Sequence, residues 1–406
     1  MYDAIEHEHD HDHRKIGQEL DLFDFREEAP GMAFWHPRGL AMVQALEQAS
    51  RDVCRRQGYE EIRTPQLLRR VVWEASGHWQ HFADAMFRAE DQKCDAALKP
   101  VSCPGFLLIQ KRSLLSYRDL PLRRCELGVV HRDEASGALH GLLRARQFVQ
   151  DDGHILCEPD QAEDEVLRFA GVLPRFYAAF GLGPPALALS LRPEHRAGDD
   201  ASWDHAEGVL RRAAERLGVP FVLQPGAGAF YGPKLEWSLE DRHGRAWQCG
   251  TIQVDLVMPR SFELRYVAAS GERRHPVMLH RALYGSLERF LGMLLEHHGR
   301  RLPPWLAPMQ AAVLPVDEAQ ALAAHALRAR LAEVGVRARV DVDESLAKRI
   351  ALVHGDAIPF VIVVGAREVA AAQATLRAPG EPQRVLPSEE LVGDLARRCA
   401  RPPLWD

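Results

Sequence analysis

Two strand-like segments in the first half of the chain constrain the fold most strongly. CELGVVHRDE begins at Cys125, QFVQDDGHIL begins at Gln147, and the loop between them contains two glycines and two arginines. This pattern predicts a long antiparallel hairpin. Side chains two positions apart on a strand share a face, so Arg132 and Glu134 are expected to project together. On the second strand, the same spacing groups Phe148, Gln150, Asp152 and His154.

This alternation of polar side chains has two interpretations, because a solvent-facing sheet and a sheet with a working surface both show it. A later segment, HRALYGSLERFLGMLLEHH, predicts a helix with an apolar face formed by Leu283, Leu287, Phe290 and Leu294. Arg289 lies beside that face. An arginine at this position is either a surface charge or a clamp for an anion.

A third strand-like run, TIQVD, extends this surface. Thr251, Gln253 and Asp255 share one face by the spacing of two. Gln248 is out of phase with them. It can join the same face only if a bulge or a loop intervenes.

The length of 406 residues exceeds the usual size of one domain and predicts two. Residues 1–13, which contain HEHDHDH, are interpreted as a solvated tail without an assigned role, with a metal-binding tract as the alternative. Helix and strand patterns alternate over 14–302, and RLPPWLAPMQ, with three prolines in ten positions, marks a boundary. Residues 303–406 then alternate strand and helix, which predicts a small, mostly parallel α/β sheet.

Composition excludes some classes of protein. No apolar run approaches the roughly 20 residues that span a bilayer, and the N-terminus is acidic and His-rich, so we expect no membrane segment, no secretion signal and a cytoplasmic location. Seven cysteines without CxxC spacing argue against disulfides. The net charge of -6 gives no overall attraction to nucleic acid, so any RNA binding requires a local basic patch.

Short motifs carry a resemblance to a known family. The Arg-x-Glu segment, the second strand with its phenylalanine and the later Glu-Arg helix resemble motifs 2 and 3 of class II aminoacyl-tRNA synthetases, and GYEEIRTPQLLRRVVWEASGHW resembles motif 1, through which these enzymes form homodimers. Eleven collinear segments resemble the threonine-specific subfamily: DHRKIG, APGMAFWH, SGHW, DAMF, CPG, SYRDLPLR, HRDEASGALHGL, QDDGH, GAFYGPK, QCGTIQ and PVMLHRA. The resemblance implies an α/β fold in which an antiparallel sheet flanked by helices precedes a small anticodon-binding-like domain.

The resemblance also implies a zinc site. Cys103, His154 and His280 occupy the positions of the family's three zinc ligands, one ion per subunit. One thiolate and two imidazoles leave coordination positions open for a substrate. In the family, the amino group and hydroxyl of threonine reach the metal, and the aspartate matching Asp152 accepts a hydrogen bond from the hydroxyl. Without the motifs, such a triple among 19 histidines and seven cysteines would be unremarkable.

For ATP, which enters with Mg²⁺, the resemblance assigns further residues. Arg132 matches the motif 2 clamp, Glu134 positions the adenylate, Arg144 lies by the nucleotide, Phe148 stacks on adenine and Arg289 holds the γ-phosphate. The other matched substrate-pocket positions are Gln150, Tyr231, Lys234, Gln248, Thr251 and Gln253. His78 matches a histidine near the terminal ribose of tRNA, with a buried packing role as the alternative.

Three residues near this surface depart from the family pattern: Phe106 in CPGF, Gln147 in RQF and Ala227 in GAGAFYG. The family's N-terminal editing region has no match, so we expect a truncated form without editing in cis. Residues 307–406 hold 12 Lys and Arg against 13 Asp and Glu, so anticodon reading is expected to be weakened or changed. Three functions stay open: charging of tRNA with threonine, transfer of activated threonine to a carrier protein or small molecule, and a non-catalytic role in tRNA binding or regulation.

Overall fold

A computed structural model describes residues 11–91, 94–241 and 244–404. The chain forms two compact units. One contains the described parts of 25–33, 46–293 and 404, and the other contains 11–24, 34–45 and 294–403. The predicted domain boundary between residues 302 and 303 stays a proposal. Residues 1–10 of the expected tail lie outside the described residues. The expectation of a solvated tail is wrong at residue 13, because His13 begins a helix and is buried, with Nδ1 2.7 Å from Glu296 Oε1.

In the described residues, the strands are, in chain order, β1 (Phe23–Phe25), β2 (Ala33–Trp35), β3 (Glu60–Glu61), β4 (Leu67–Arg69), β5 (Arg88–Asp91), β6 (Cys94–Leu98), β7 (Leu115–Ser116), β8 (Leu122–His131), β9 (Gln147–Cys157), β10 (Ala186–Ser190), β11 (Phe221–Gln224), β12 (Lys234–Glu240), β13 (Ala246–Asp255), β14 (Tyr266–Val267), β15 (Arg273–Arg274), β16 (Val277–Ser286), β17 (Ala311–Pro315), β18 (Ala338–Val340), β19 (Phe360–Val364), β20 (Gln373–Arg377) and β21 (Arg384–Pro387).

The helices of the same residues are α1 (His13–Glu19), α2 (Pro37–Arg56), α3 (Arg70–Ala75), α4 (His78–His81), α5 (Cys103–Gln110), α6 (Ala162–Ala170), α7 (Leu173–Ala178), α8 (Asp200–Leu217), α9 (Met258–Ser261), α10 (Leu287–His298), α11 (Ala321–Glu333), α12 (Leu346–Gly355), α13 (Ala366–Ala370) and α14 (Ser388–Arg398). Short 3₁₀ helices cover Ala83–Ala85, Tyr117–Asp119, Ser136–Ala138 and Glu318–Gln320. Within the described ranges, no helix is both long and apolar enough to cross a bilayer.

The larger unit is built on an eight-stranded sheet with the order β11-β10-β12-β13-β16-β9-β8-β3. All neighbours from β10 to β8 pair in antiparallel fashion, and only the two edge pairings are parallel. The predicted hairpin is confirmed as β8 and β9, whose register runs from Leu122↔Leu156 to His131↔Gln147. Three-stranded sheets β15-β14-β7 and β4-β6-β5 accompany it.

Two details of the expected local structure are wrong. Arg132 and Glu134 lie beyond the end of β8, because the Glu134 N–H donates to the Arg132 carbonyl at 2.8 Å in a tight turn. Leu283 belongs to β16 rather than to the helix, because the backbone N–H groups of Leu283 and Tyr284 donate to the Asp151 carboxylate at 2.6 and 2.9 Å. Helix α10 therefore begins only at Leu287.

One face of the large sheet is covered by helices. Leu235, Trp237 and Leu239 alternate along β12 and are buried, and the Trp237 ring lies 5.9 Å from that of Phe169 on α6. Helix α8 packs on β12 and its neighbours β10 and β13, and its buried residues include Trp203. By alternation, the intervening side chains of β12 project from the opposite face of the sheet. That second face carries the candidate site.

In the smaller unit, five strands form a sheet with the order β18-β17-β19-β20-β21. The expectation of a mostly parallel sheet is wrong, since β17 pairs in parallel with β18 and β19, whereas β19–β20 and β20–β21 are antiparallel. The reason is the length of the connections. Parallel neighbours need a crossover of about a dozen residues or more, and only the linkers around α11 and α12 reach that length. Apolar clusters fill both faces of this sheet.

Candidate functional site

Three potential metal ligands meet on the open face of the large sheet. Cys103 is the first residue of α5, and His154 on β9 is the direct register partner of His280 on β16. One ligand atom from each lies within 4.8 Å of the other two. All three residues are buried, and His154 Nε2 has no hydrogen-bond partner among the described residues. The donor set and the unpaired nitrogen fit a cation with three protein ligands.

Neighbouring side chains fix the two imidazoles. Asp255 Oδ2 lies 3.0 Å from His280 Nε2, and Asp255 Oδ1 accepts hydrogen bonds from the backbone N–H groups of Val257 and Met258. The ring of Phe106 stacks on His154 with centroids 4.9 Å apart and an interplanar angle of 11°. A carboxylate and a stacked ring that orient the ligands are typical of metal sites.

Burial sets the protonation of this cluster in the absence of a cation. Burial, reinforced by Asp152 and Asp255, raises the pKa of the Cys103 thiol well above its usual range. Burial, reinforced by the charge of His280, lowers the pKa of His154 well below its usual range. A neutral imidazole is ready to bind a metal, whereas the thiol must lose its proton when a metal binds.

Polar side chains surround the cluster. Asp152 Oδ1 lies 3.5 Å from His154 Nε2, and burial raises the pKa of this carboxyl. The Tyr231 ring is 5.0 Å from that of His280, and Lys234 forms an ion pair of 2.7 Å with Glu236. Two buried amide oxygens have no hydrogen-bond partner among the described residues, namely Oε1 of Gln150 and of Gln253. Unpaired polar atoms of this kind are typical of a site that awaits a polar ligand.

A β-bulge brings Gln248 onto the sheet face that carries Thr251 and Gln253. The sequence spacing had predicted that Gln248 needs a bulge or a loop to reach this face. The register changes from Trp237↔Gly250 to Ser238↔Gln248, so Cys249 is the extra residue of β13. Strand β12 has regular alternation, and Thr251 pairs with Glu236, so Gln248 opposite Ser238 shares the face of Thr251. Gln253, which pairs with Lys234, lies on that face too.

Two partly buried guanidinium groups, those of Arg132 and Arg289, lie next to these polar side chains. The Arg132 guanidinium stacks over the Phe148 ring at 5.1 Å, and its Nε donates to the Pro100 carbonyl. Arg289 Nε donates to the Leu143 carbonyl at 3.1 Å. Burial lowers the pKa of both, and Arg289 lowers that of Arg132 further. Within the described chain, neither has a carboxylate within 4.0 Å, so the pair suits an anionic ligand.

Glu134 and Arg144 are placed differently. Arg144 Nη2 donates to Glu134 Oε2 at 2.8 Å, and the Arg144 side chain is 54% exposed. Glu134 therefore pairs with the loop arginine and not with Arg132. The sequence could not show this, because the turn after β8 separates the two residues.

His78 lies in an aromatic cluster and is 2% exposed. Its ring contacts those of Trp73, Phe82, Phe230 and Tyr231, and Nδ1 lies 2.9 Å from Ser76 Oγ. Burial, followed by the charge of His280, lowers the pKa of His78 to about 3. Packing thus accounts for this residue, and a contact with RNA stays a prediction.

We predict that His78 makes the larger unit sensitive to acid. His78 binds a proton near pH 6.5 in the unfolded chain and only near pH 3 in the folded chain. The free energy of unfolding therefore falls as the pH falls through this window. From pH 7 to pH 5 the loss from this group is about 2 kcal/mol. Urea denaturation should show that the free energy of unfolding of His78→Gln falls by about 2 kcal/mol less than that of the parent protein between pH 7 and pH 5. His81→Gln, at an exposed position, should behave like the parent. Equal losses in all three proteins would contradict the prediction.

Comparisons with known proteins match the chain to two domain families. Residues 87–298 match the model for the tRNA synthetase class II core domain (G, H, P, S and T), and residues 310–397 match the model for an anticodon binding domain. Threonine--tRNA ligase from Burkholderia lata is 49% identical over 369 residues, which cover 91% of this chain and 58% of that protein; the Burkholderia mallei protein is 48% identical over the same coverage. The chain thus spans less than two thirds of the length of these curated relatives.

A solved structure covers nearly the whole chain. The RNA binding domain of threonyl-tRNA synthetase from Cryptosporidium parvum superposes with a TM-score of 0.93 at 36% sequence identity. The match covers 97% of this chain and 99% of that domain.

Proposed function

Because the chain belongs to the threonyl-tRNA synthetases, a family of class II tRNA synthetases, we propose that it activates L-threonine with ATP and transfers it to tRNA(Thr). The observation that carries the proposal is the cluster of Cys103, His154 and His280 beside Asp152. This cluster offers a soft, nitrogen- and sulfur-rich cation site next to a buried carboxylate, an arrangement that suits a small amino acid with a hydroxyl group.

We propose that Cys103, His154 and His280 hold one zinc ion. When bound, zinc supplies a positive charge and open coordination positions for the amino group and hydroxyl of threonine. Asp255 keeps the His280 ring in place through the bond to Nε2, and Phe106 does so for His154 by stacking. The departure from the family pattern at Phe106 is thus compatible with an intact site.

Asp152 accepts the hydrogen bond of the threonine hydroxyl in this proposal. Burial raises the pKa of its carboxyl, and the positive charge of Arg281 opposes this rise. Gln150, Gln253 and Thr251 line the same sheet face and offer polar groups to the amino acid. Tyr231, Lys234 and Gln248 complete the proposed substrate pocket.

Adenylation needs charge stabilisation rather than proton transfer. A threonine carboxylate oxygen attacks the α-phosphorus, the bond to the bridging oxygen breaks, and pyrophosphate leaves. Arg132 stabilises the negative charge that develops on the α-phosphate, and Arg289 holds the γ-phosphate. Mg²⁺ accompanies ATP, and Phe148 stacks on adenine while Glu134 and Arg144 position the nucleotide.

Replacing Arg132 with alanine tests the phosphate clamp. We expect kcat for threonine-dependent pyrophosphate exchange to fall by about 10²- to 10³-fold, the range for loss of one fixed donor to a transition-state anion. Arg212→Ala, which removes an arginine that is 57% exposed and paired with Glu163, should retain full activity. Retention of full exchange activity by Arg132→Ala would remove Arg132 from the mechanism.

The match of 310–397 to an anticodon binding domain supports tRNA as the acceptor. We further propose a homodimer through the segment around β3 and α3, which resembles motif 1, and a position for His78 near the tRNA terminus. Sedimentation equilibrium tests the dimer, and a monomer at micromolar concentration would contradict it.

Incubation with labelled threonine, ATP, Zn²⁺ and total tRNA tests the whole proposal. Labelled tRNA is the expected product. Threonyl adenylate without labelled tRNA would favour a carrier protein or small molecule as acceptor and overturn the transfer step. Absence of both products would leave a non-catalytic binding role and overturn the proposal.

A further inference from the structure

A pair of cysteines lies on the side of the large sheet away from the candidate site. Cys54 is near the end of α2 and Cys125 is on β8, and both are buried. The two thiols interact, and each is the largest influence on the pKa of the other. Both thiols line a cavity of about 10 Å³, close to the lower limit for one water-sized molecule.

Arg281 connects this pair to the sheet. Its Nη2 donates to Cys54 Sγ at 3.0 Å and its Nη1 donates to the Asp151 carbonyl at 3.1 Å. The guanidinium also lies 4.4 Å from the centre of the Tyr59 ring. It crosses the backbone at Gly153, where a Cβ atom would lie only 2.3 Å from it. The guanidinium is therefore held in one position.

The charges around Arg281 favour a thiolate at Cys54. Arg281 is 3% exposed, and the one carboxylate within 4.0 Å of it in the described part of the chain is that of Asp151 at 3.6 Å. The Asp151 carboxylate already accepts two backbone hydrogen bonds, and burial raises its pKa to about 7. The bond from Cys125, followed by the charge of Arg281, lowers the pKa of Cys54 to about 6. The pKa of Cys125 is raised, because it donates to Cys54.

A thiolate next to a protonated thiol is the arrangement of a reactive dithiol. The thiolate is the nucleophile, and the second thiol supplies the partner sulfur. Cys157 on β9 differs, because burial, reinforced by the charge of Glu165, raises the pKa of its thiol well above its usual range.

We propose that Cys54 and Cys125 form an oxidation site that a peroxide converts into a disulfide. The Cys54 thiolate attacks one oxygen of hydrogen peroxide, the O–O bond breaks, and Cys54 sulfenic acid forms with release of one water after proton uptake. Cys125 then attacks the Cys54 sulfur, and a second water leaves. In total, two thiols are oxidised by two electrons, and one peroxide is reduced to two waters.

Peptide mapping tests the proposal without any assumption about the substrate. The zinc-loaded full chain is reduced, treated with a small excess of hydrogen peroxide at pH 7, blocked with N-ethylmaleimide and digested with trypsin without reductant. The expected product links DVCR, which contains Cys54, to CELGVVHR, which contains Cys125. Cys54 should be oxidised at least about tenfold faster than Cys157, because far more of it is thiolate at pH 7. Dithiothreitol should release both peptides.

Two variants make the result decisive. Cys125→Ala keeps the contact of Cys54 with Arg281 but removes the resolving thiol, so dimedone should trap sulfenic acid on Cys54 and no linked peptide should form. Cys157→Ala, a matched change of a buried cysteine, should leave the link unchanged. The proposal is overturned if Cys54 resists peroxide, if it reaches a dimedone adduct in the parent chain without a link to Cys125, or if Cys157 reacts as fast.

Discussion

Valine should be activated about 10⁴- to 10⁵-fold less efficiently than threonine, although the two side chains have nearly the same size. The proposed pocket presents a cation site and the buried Asp152 carboxylate to the position of the threonine hydroxyl. Valine would leave both without a partner, and unpaired buried polar groups are costly. The ratio of kcat/KM in pyrophosphate exchange measures this discrimination.

Serine provides the control for this prediction. It carries the hydroxyl and lacks only one methyl group, so it should be rejected by only about 10- to 200-fold. A pocket that selects by shape alone would give similar ratios for valine and serine. Valine activation within about 200-fold of threonine would therefore contradict the proposed role of the hydroxyl.

Replacing Cys103 with alanine should remove the bound zinc and reduce threonine activation by more than about 10³-fold, since a metal contributes several kcal/mol to charge stabilisation. The two remaining ligands, His154 and His280, cannot hold a divalent ion as firmly as three. Metal analysis after gel filtration and pyrophosphate exchange measure the two effects.

Cys157→Ala is the matched control for this second prediction. Cys157 is also buried and lies on β9, but it is not part of the metal cluster. It should keep one zinc per chain and full exchange activity. Loss of zinc in both variants would indicate general unfolding, and full activity of Cys103→Ala would exclude the proposed site.

Regular strand geometry made much of the site predictable from sequence. The spacing of two placed Asp152 and His154 on one face, and β9 has that regularity. The same geometry showed that Gln248 required a bulge, which Cys249 provides. The metal triple needed family motifs, because the proximity of Cys103 to the two histidines depends on the start of α5 beside the sheet.

Other features depend on contacts that no local pattern encodes. Arg132 and Glu134 separate because both lie past the end of β8, in a tight turn that a backbone hydrogen bond between them closes. Phe106 stacks on His154 and Asp255 bonds to His280 through tertiary packing alone. The spacing of two did place Asp255 on the right face, but only the pairing of β13 with β16 reveals its partner.

Cobalt substitution would report on the proposed contact between the metal and threonine, because zinc is spectroscopically silent whereas Co²⁺ at a thiolate and imidazole site absorbs in the visible range. The protein is loaded with Co²⁺ and titrated with threonine, and valine serves as the control. If the metal at Cys103, His154 and His280 binds the amino acid, saturating threonine will change the visible spectrum. Valine will not produce this change. A spectrum that is identical with and without saturating threonine would contradict the account.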